Sequence, residues 1–359
     1  MRIAILGVGL IGGSIGLAAR ARAGAEVCGF DPDGSVLESA LAAGAIDAAS
    51  ADLAAAVEGV DVVFAAAPVA ALTETVRRAL EAAGPECVVT DVGSTKRALA
   101  EAAGDERFIG GHPLAGAETA GVEHAREDLF DGATWYLTPA KGKTSGVLYE
   151  RLYGVLRVLG ARPVAIDADT HDRLMACVSH LPHVLANALV AQASELLASS
   201  PRLPAIGPSF RDATRVAGAN SAIWPDIYAS NRDALIEAVD RLTAALAEVR
   251  GMLAAGDTRA LGEWNDASRS ARDRLLEAGL AGAVGEAVHE LRASVPNRPG
   301  VIAEIALALG GAGVNILDMA LAPSDDNRQG VVALWIAGAD QAERARGLIA
   351  GLGFPVVQA

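Results

Sequence analysis

The chain has 359 residues, enough for two or three domains of ~100–200 residues each, and its 52% hydrophobic and 21% charged content excludes disorder. Acids outnumber bases by 44 to 30, and the net charge of −14 excludes broad nucleic-acid binding and electrostatic docking on anionic lipid. A small anionic ligand remains compatible with that balance if a few cations converge locally. Three scattered cysteines (Cys28, Cys87, Cys177) form no C-x-x-C pair, so a reducing cytosol is the expected setting. MRIAILG runs straight into a glycine-rich turn rather than forming a signal peptide, and the apolar stretch Val62–Leu72 is too short to span a bilayer. The expectation is a soluble cytoplasmic protein.

In chain order, β-rich runs fall at Arg2–Leu6, Glu26–Phe30, Asp61–Ala66, Cys87–Asp91, Arg107–Gly110, Thr134–Leu137 and Arg162–Ile166, with alanine-rich helical stretches such as Val69–Ala83 and Thr95–Ala103 between them. The alternation predicts an α/β domain over 1–166, a Rossmann-type doubly wound parallel sheet. From 167 to 286 strand signals vanish. Apolar residues recur at helical spacing through Leu174–Leu197, Asp233–Ala255 and Thr258–Leu280, which predicts an all-helical domain that pairs two subunits. Over 287–359 the pattern is mixed. Strand Val288–Ser294, turn Pro296–Gly300, helix Val301–Gly310, strand Val314–Ala320, turn Ser324–Gln329, strand Gly330–Ala337, helix Asp340–Leu352 and a last strand at Pro355–Val357 give a small βαββαβ unit.

Gly7-Val8-Gly9-Leu10-Ile11-Gly12 is a G-x-G-x-x-G turn that follows one strand and opens a helix, and the next strand ends at Asp31. That context is the one a dinucleotide fingerprint requires. Gly7 suits the tight turn, Gly9 lets a pyrophosphate approach the amides of Leu10 and Ile11, and Gly12 allows close helix packing. A carboxylate at Asp31 accepts ribose hydroxyls and repels a 2′-phosphate, so NAD is favoured over NADP. The competing reading makes Asp31 a helix N-cap.

Two segments concentrate chemistry. Asp91-Val92-Gly93-Ser94-Thr95-Lys96 and Gly110-Gly111-His112-Pro113 through Glu118 each start near a strand's C-terminal end, where open α/β sheets bind ligands. His171-Asp172, Ser179-His180-Leu181-Pro182-His183, Phe210–Arg215 and Trp224 follow in the helical region. His180 and His183 could suggest a metal, but Pro182 between them and the lack of a clear third ligand argue for none.

GGHPLAGAE, ATWYLTP, HDRLMACVSHLPH and FRDATR, in that order, resemble the prephenate dehydrogenases of tyrosine biosynthesis, over residues 1–285. VPNRPGVIAEIALAL and VNILDM resemble an ACT domain, a regulatory module that often binds amino acids. The resemblance implies NAD-dependent oxidative decarboxylation of prephenate to 4-hydroxyphenylpyruvate. It implies that His112 accepts the C4-hydroxyl proton and that Ser94 hydrogen-bonds the same hydroxyl and orients the histidine. Arg215 would bind the ring carboxylate, and His183 the substrate's other end. His171 and Asp212 would belong to the surrounding polar network, and Glu118 would stand at the pocket mouth. Lys96 has no assigned role beyond a cation near the cofactor, and Trp224 reads as packing. Asn297, Arg298, Gly300 and Asn315 mark where an effector such as tyrosine would sit. Arogenate, or both substrates, remains an alternative. A β-hydroxyacid dehydrogenase would need a catalytic lysine where SHLPH stands, and the set Ser94, His112 and Arg215 argues against a non-catalytic amino-acid sensor.

Overall fold

A computed structural model describes residues 1–116, 119–139, 146–198, 206–218, 223–284, 287–323 and 329–358. The chain divides into two compact units, Met1–Ala247 and Glu248–Ala359.

The first unit runs β1 (Arg2–Leu6), α1 (Leu10–Ala23), β2 (Glu26–Phe30), α2 (Gly34–Ala42), β3 (Ala48–Ser50), α3 (Leu53–Val57), β4 (Val62–Ala65), α4 (Val69–Ala82), β5 (Val88–Asp91), α5 (Arg97–Ala103), β6 (Gly110–Pro113), β7 (Thr134–Thr138), α6 (Val147–Val158) and β8 (Arg162–Ala165). Strands β3-β2-β1-β4-β5 form a fully parallel sheet, the expected doubly wound core. Side chains alternate between its faces. Ile3, Ile5, Val62 and Phe64 pack on one side with α1 and α6. Ala4, Leu6, Val63 and Ala65 pack on the other with α3 and α4. Burial on both faces is why β1 reads as an unbroken apolar run.

The remaining strands depart from a single sheet. Order β6-β7-β8 makes a separate three-stranded sheet in which β6 runs antiparallel to β7. The strand expected at Arg107–Gly110 begins only at Gly110, with one bridge at Val89–Phe108. Arg107 is committed elsewhere: its guanidinium donates to the carbonyls of Leu80 (2.9 Å) and Ala83 (2.6 Å) at the end of α4, and pairs with Asp105. β3, three residues of Ala-Ala-Ser, carried no strand signal and exists because β2 offers it a parallel edge.

The helical part continues with α7 (Ala168–Met175), a π-turn (Ala176–His180), α8 (Leu181–Ala198), α9 (Pro208–Thr214), α10 (Trp224–Ser230) and α11 (Arg232–Ala255). The π-turn is closed by the Leu181 amide donating to Ala176 five residues back. Pro182, which has no amide to donate, follows at once. Residues 168–196 are apolar and long enough to cross a membrane by composition. Their His171, Asp172, His180 and His183 are buried and hydrogen-bonded inside the protein, so the run is the wall of a site.

The second unit holds α12 (Thr258–Val284), β9 (Val288–Pro296), α13 (Val301–Gly311), β10 (Asp318–Pro323), β11 (Gln329–Ala337), α14 (Ala339–Gly351) and β12 (Val356–Gln358). Order β10-β11-β9-β12 is antiparallel throughout, the expected βαββαβ unit. Its core joins Leu291, Val332 and Leu334 to Ile305, Leu309 and Ile349 of the two helices. The strand expected from Val314 starts at Asp318 instead, because the Val314 amide closes the end of α13 on Leu309 (2.9 Å) and its side chain fills the core. The expected turn Ser324–Gln329 lies largely outside the described residues.

Candidate active site

The glycine turn leaves β1 at Leu6. Gly7 has φ 100°, and a Cβ there would sit 2.6 Å from the Ala66 carbonyl oxygen. A Cβ at Gly12 would sit 2.1 Å from the Gly7 carbonyl oxygen, whereas Gly9 faces open space. α1 starts after Gly9 with no side-chain cap, so its first-turn amides, including those of Leu10 and Ile11, face outward as an anion site. Asp31 is not the N-cap of α2; Asp33 is, accepting from the Ser35 amide at 2.9 Å. The Asp31 carboxylate instead accepts from the amides of Val8 (3.1 Å) and Asp33 (3.0 Å), which ties it to the glycine turn. A cavity of about 300 Å³ opens beside it, bordered by Gly9, Asp31, Ser35, Ser39, Val122 and Glu123. Its charged lining is two carboxylates, which suits a ribose diol and opposes a 2′-phosphate. Glu123, 92 residues from Asp31, had no signal in the sequence.

The next layer is built on Asp91. Its Oδ2 accepts from the Gly93 amide (2.8 Å) and its Oδ1 from the Gly111 amide (3.0 Å). One carboxylate therefore joins the loop carrying Ser94 to the strand carrying His112. A Cβ at Gly111 would meet the Asp91 carbonyl oxygen at 2.5 Å, so this close approach requires glycine. Lys96 is fully buried and ion-paired with the same Asp91. Burial pushes its ammonium down from its usual value, against the pull of Asp91 and Asp172. Lys96 is a buried partner of Asp91 and not a cation offered to a ligand.

His112 stands on β6, half-buried. Its Nδ1 lies 2.9 Å from His171 Nε2, and His171 Nδ1 lies 2.8 Å from Asp172 Oδ1. Asp172 also accepts the amides of Lys96 (2.8 Å) and Arg97 (2.9 Å), capping the start of α5. Its charge is thus held by three donors with the side chain almost wholly out of solvent. Burial, with Lys96, His171 and His180 adding to it, holds His112 well below the usual histidine range. It is therefore a neutral imidazole near pH 7. The partner that orients His112 is His171; the Ser94 hydroxyl, half-buried nearby in sequence, has no partner among the described residues. Both nitrogens of His171 are used, and none of its surface is exposed, so it keeps no atom for a substrate.

The π-turn aims His180 and His183 to one side. His180 Nδ1 faces the Asn231 amide nitrogen (3.1 Å), which also donates to the Asp172 carbonyl (2.7 Å), and burial pushes His180 down to about 4. His183 stacks flat on Trp224, with ring centres 3.6 Å apart at 7°. Its Nδ1 meets the Tyr228 hydroxyl and the Asn187 amide nitrogen (3.1 Å). Burial lowers its pKa as well, so His183 is neutral and not a cation. An amide nitrogen can only donate, so Nδ1 accepts and the ring proton sits on Nε2. Trp224, expected as packing, is a wall of this site. Asn187 is one helical turn from His183 and could have been found by spacing. Tyr228 and Asn231 could not, being 45 and 51 residues from their histidine partners.

Arg215 follows α9 in a single 3-10 turn and is exposed, as is Asp212 one turn earlier. Glu118 lies outside the described residues. In the second unit Gly300 has φ 87° before α13, and Arg298 forms a two-pronged pair with Glu304 (2.8 and 2.7 Å). Asn297 and Asn315 are exposed.

The prephenate dehydrogenase nucleotide-binding domain matches residues 15–165, the prephenate dehydrogenase dimerization domain 167–266, and the ACT domain 289–347. The chain is 32% identical to the prephenate dehydrogenase of Bacillus subtilis, over 96% of this chain and 94% of that protein. It is also 32% identical to the cyclohexadienyl dehydrogenase of Zymomonas mobilis, over 75% of this chain and 94% of that one. The crystal structure of prephenate dehydrogenase from Aquifex aeolicus in complex with hydroxyphenyl propionate and NAD+ matches with a TM-score of 0.71 at 27% identity, covering 77% of this chain and 98% of that one. His112, the histidines of the α7–α8 wall and Arg215 all fall within the matched segments, and the chain belongs to the prephenate dehydrogenase family.

Proposed function

We propose that the protein oxidatively decarboxylates prephenate to 4-hydroxyphenylpyruvate with NAD, in tyrosine biosynthesis. The observation that carries the reading is a neutral His112 held by a buried partner in a family-matched segment. The nicotinamide, when bound, takes the hydride from C4 of the ring. The chain's own residues do the rest. As the hydride leaves, His112 Nε2 accepts the C4-hydroxyl proton. The bond from C1 to its carboxylate breaks, carbon dioxide departs, and the electron pair enters the ring to give a phenolate. The phenolate oxygen takes the proton back, so the sum releases no proton. Ser94 is assigned the hydroxyl, Arg215 the ring carboxylate through its planar fork, Asp212 the surrounding polar network and Glu118 the pocket mouth. The glycine turn (Gly7, Gly9, Leu10, Ile11, Gly12) and Asp31 hold the dinucleotide.

His183 favours prephenate over arogenate. Its Nε2–H is a donor, which suits a keto or carboxylate oxygen and opposes an ammonium. The Zymomonas relative, a cyclohexadienyl dehydrogenase, keeps the dual-substrate reading in play. Steady-state assays pairing prephenate or arogenate with NAD or NADP test both points. Prephenate with NAD should give the highest kcat/KM, and equal rates with arogenate would overturn the preference.

The wider reading is a cytoplasmic homodimer formed through the helical segment, with functional domains at 1–166, 167–286 and 287–359. The dimerization-domain match supports the pairing. Tyrosine is the proposed effector, bound around Asn297, Gly300 and Asn315; Arg298, already paired with Glu304, contributes through its backbone.

A further inference from the structure

The wall behind His112 is a closed chain of three ionisable side chains from two parts of the fold. Asp172 is a carboxylate and can only accept, so the 2.8 Å contact places a proton on His171 Nδ1. A neutral His171 then presents a bare Nε2. The 2.9 Å contact to His112 Nδ1 is satisfied only if His112 donates, which leaves His112 Nε2 bare. With a single proton on His171, the order of donors runs from the carboxylate outward.

We infer that Asp172 and His171 are positioning residues that fix His112 in its Nε2-bare form and share the positive charge while it holds the substrate proton. The inference rests on the reading of His112 as the proton acceptor. The burial pattern supports it. His171 has no exposed surface and Asp172 is 3% exposed, so behind His112 the chain has no exit to water. A base that had to discard its proton each turnover would need one. This reaction returns the proton to the phenolate oxygen, and a sealed chain suffices. The surroundings make the sharing necessary. Buried Lys96 and His180 lie close enough to His112 to disfavour its cation, and the Lys96 charge is already balanced by Asp91. Tyr136, opposite His112 on β7, sets its ring edgewise to His171 at 5.6 Å. Among the described residues, Asp172 is the remaining anion in line with the two imidazoles. The arrangement resembles a serine-protease triad in logic, with a second histidine inserted between the base and the carboxylate.

Two substitutions separate the links. The His171→Asn amide reaches only the Nδ1 position, so it keeps Asp172 and abandons His112. The His171→Gln oxygen reaches the Nε2 position and still accepts from His112. His171→Asn should lower kcat about 100-fold, the low end of what a general base supplies, with KM for prephenate and Kd for NADH within about threefold of the parent. His171→Gln should retain kcat within about tenfold. Nitrogen-15 imidazole spectra of the unliganded full-length protein, with His112→Asn to assign the signal among six histidines, should show His112 protonated on Nδ1 and bare on Nε2. A parent spectrum with the proton on Nε2 overturns the inference even if both variants fail to fold. So does a His171→Asn enzyme with parental kcat. Should the parent not turn over prephenate at all, the functional reading fails while the spectrum still decides the tautomer.

Discussion

Replacing Tyr228 with Phe removes one hydroxyl from the far end of the site. Both rings that touch it, Trp224 at 5.6 Å and His183 at 5.9 Å between centres, keep their contacts, because the phenyl ring remains. The loss is the hydrogen bond to His183 Nδ1 and that of the same hydroxyl with the Asn187 side chain; the Asn187 amide, at 3.1 Å on His183 Nδ1, remains. A neutral hydrogen bond of this kind contributes about 1 kcal/mol, which is about a fivefold change in an equilibrium constant. The bond acts on the orientation of His183, whose assigned task is to bind the substrate's side chain, and the atoms around His112 are untouched. Steady-state kinetics with prephenate and saturating NAD should therefore show KM raised about fivefold and kcat within a factor of two. Because burial lowers the pKa of His183, the ratio of parent to variant KM should not change between pH 7.5 and 8.5. A kcat loss of tenfold or more with unchanged KM would refute the placement of His183 at the binding end. A ratio that changes across that range would refute its neutrality.

Arg215→Ala should raise the KM for prephenate about 100-fold with a smaller change in kcat, and Arg215→Lys should recover only part of it, since one ammonium cannot reproduce a planar fork; a pure kcat effect contradicts the binding role. Asp31→Ala releases the Val8 and Asp33 amides and should weaken NADH at least about tenfold in a fluorescence titration, with less discrimination against NADPH. His180 links stability to pH. Its folded value is lowered to about 4, so between 6.5 and 4 the unfolded chain binds more protons, and stability present above 6.5 is lost as pH falls through that window. At about 1.4 kcal/mol per unit the loss approaches ~3 kcal/mol. The Tm should fall more steeply across this window in the parent than in His180→Asn, and parallel slopes would remove His180 as the cause. Calorimetry should detect tyrosine binding to the full chain, weakened by Asn315→Ala; binding unaffected by that change, and lost on adding prephenate, would move the tyrosine site to the catalytic unit.

The charge balance takes a different form once the side chains are placed. A chain of net charge −14 must hold a dianion with local help, and three cations were available on paper: Arg215, His183 and Lys96. Lys96 is neutralised by Asp91 in the interior, and His183 is uncharged. The assigned attraction narrows to Arg215 together with neutral donors, so affinity should depend on that arginine more than on any surface acid.

The parts legible in the sequence are those set by neighbours along the chain. Apolar alternation and helical spacing placed most elements within a few residues, because backbone periodicity and burial act locally. The glycine turn was readable because its requirements, a tight turn and an uncapped helix start, are met within six residues. The boundaries that moved, at Arg107 and Val314, moved because a distant carbonyl or core position claimed the residue. The ionisation of the site was not legible at all. Whether Lys96 is a free cation, which nitrogen of His112 is bare and which nitrogen of His183 carries the proton depend on Asp91, on Asp172 and on Tyr228 with Asn187. Tyr228 lies 45 residues from His183, and Asp172 lies 60 from His112. Desolvation and hydrogen-bond direction are properties of the assembled interior, and only folding brings those donors and acceptors within hydrogen-bond distance of one another.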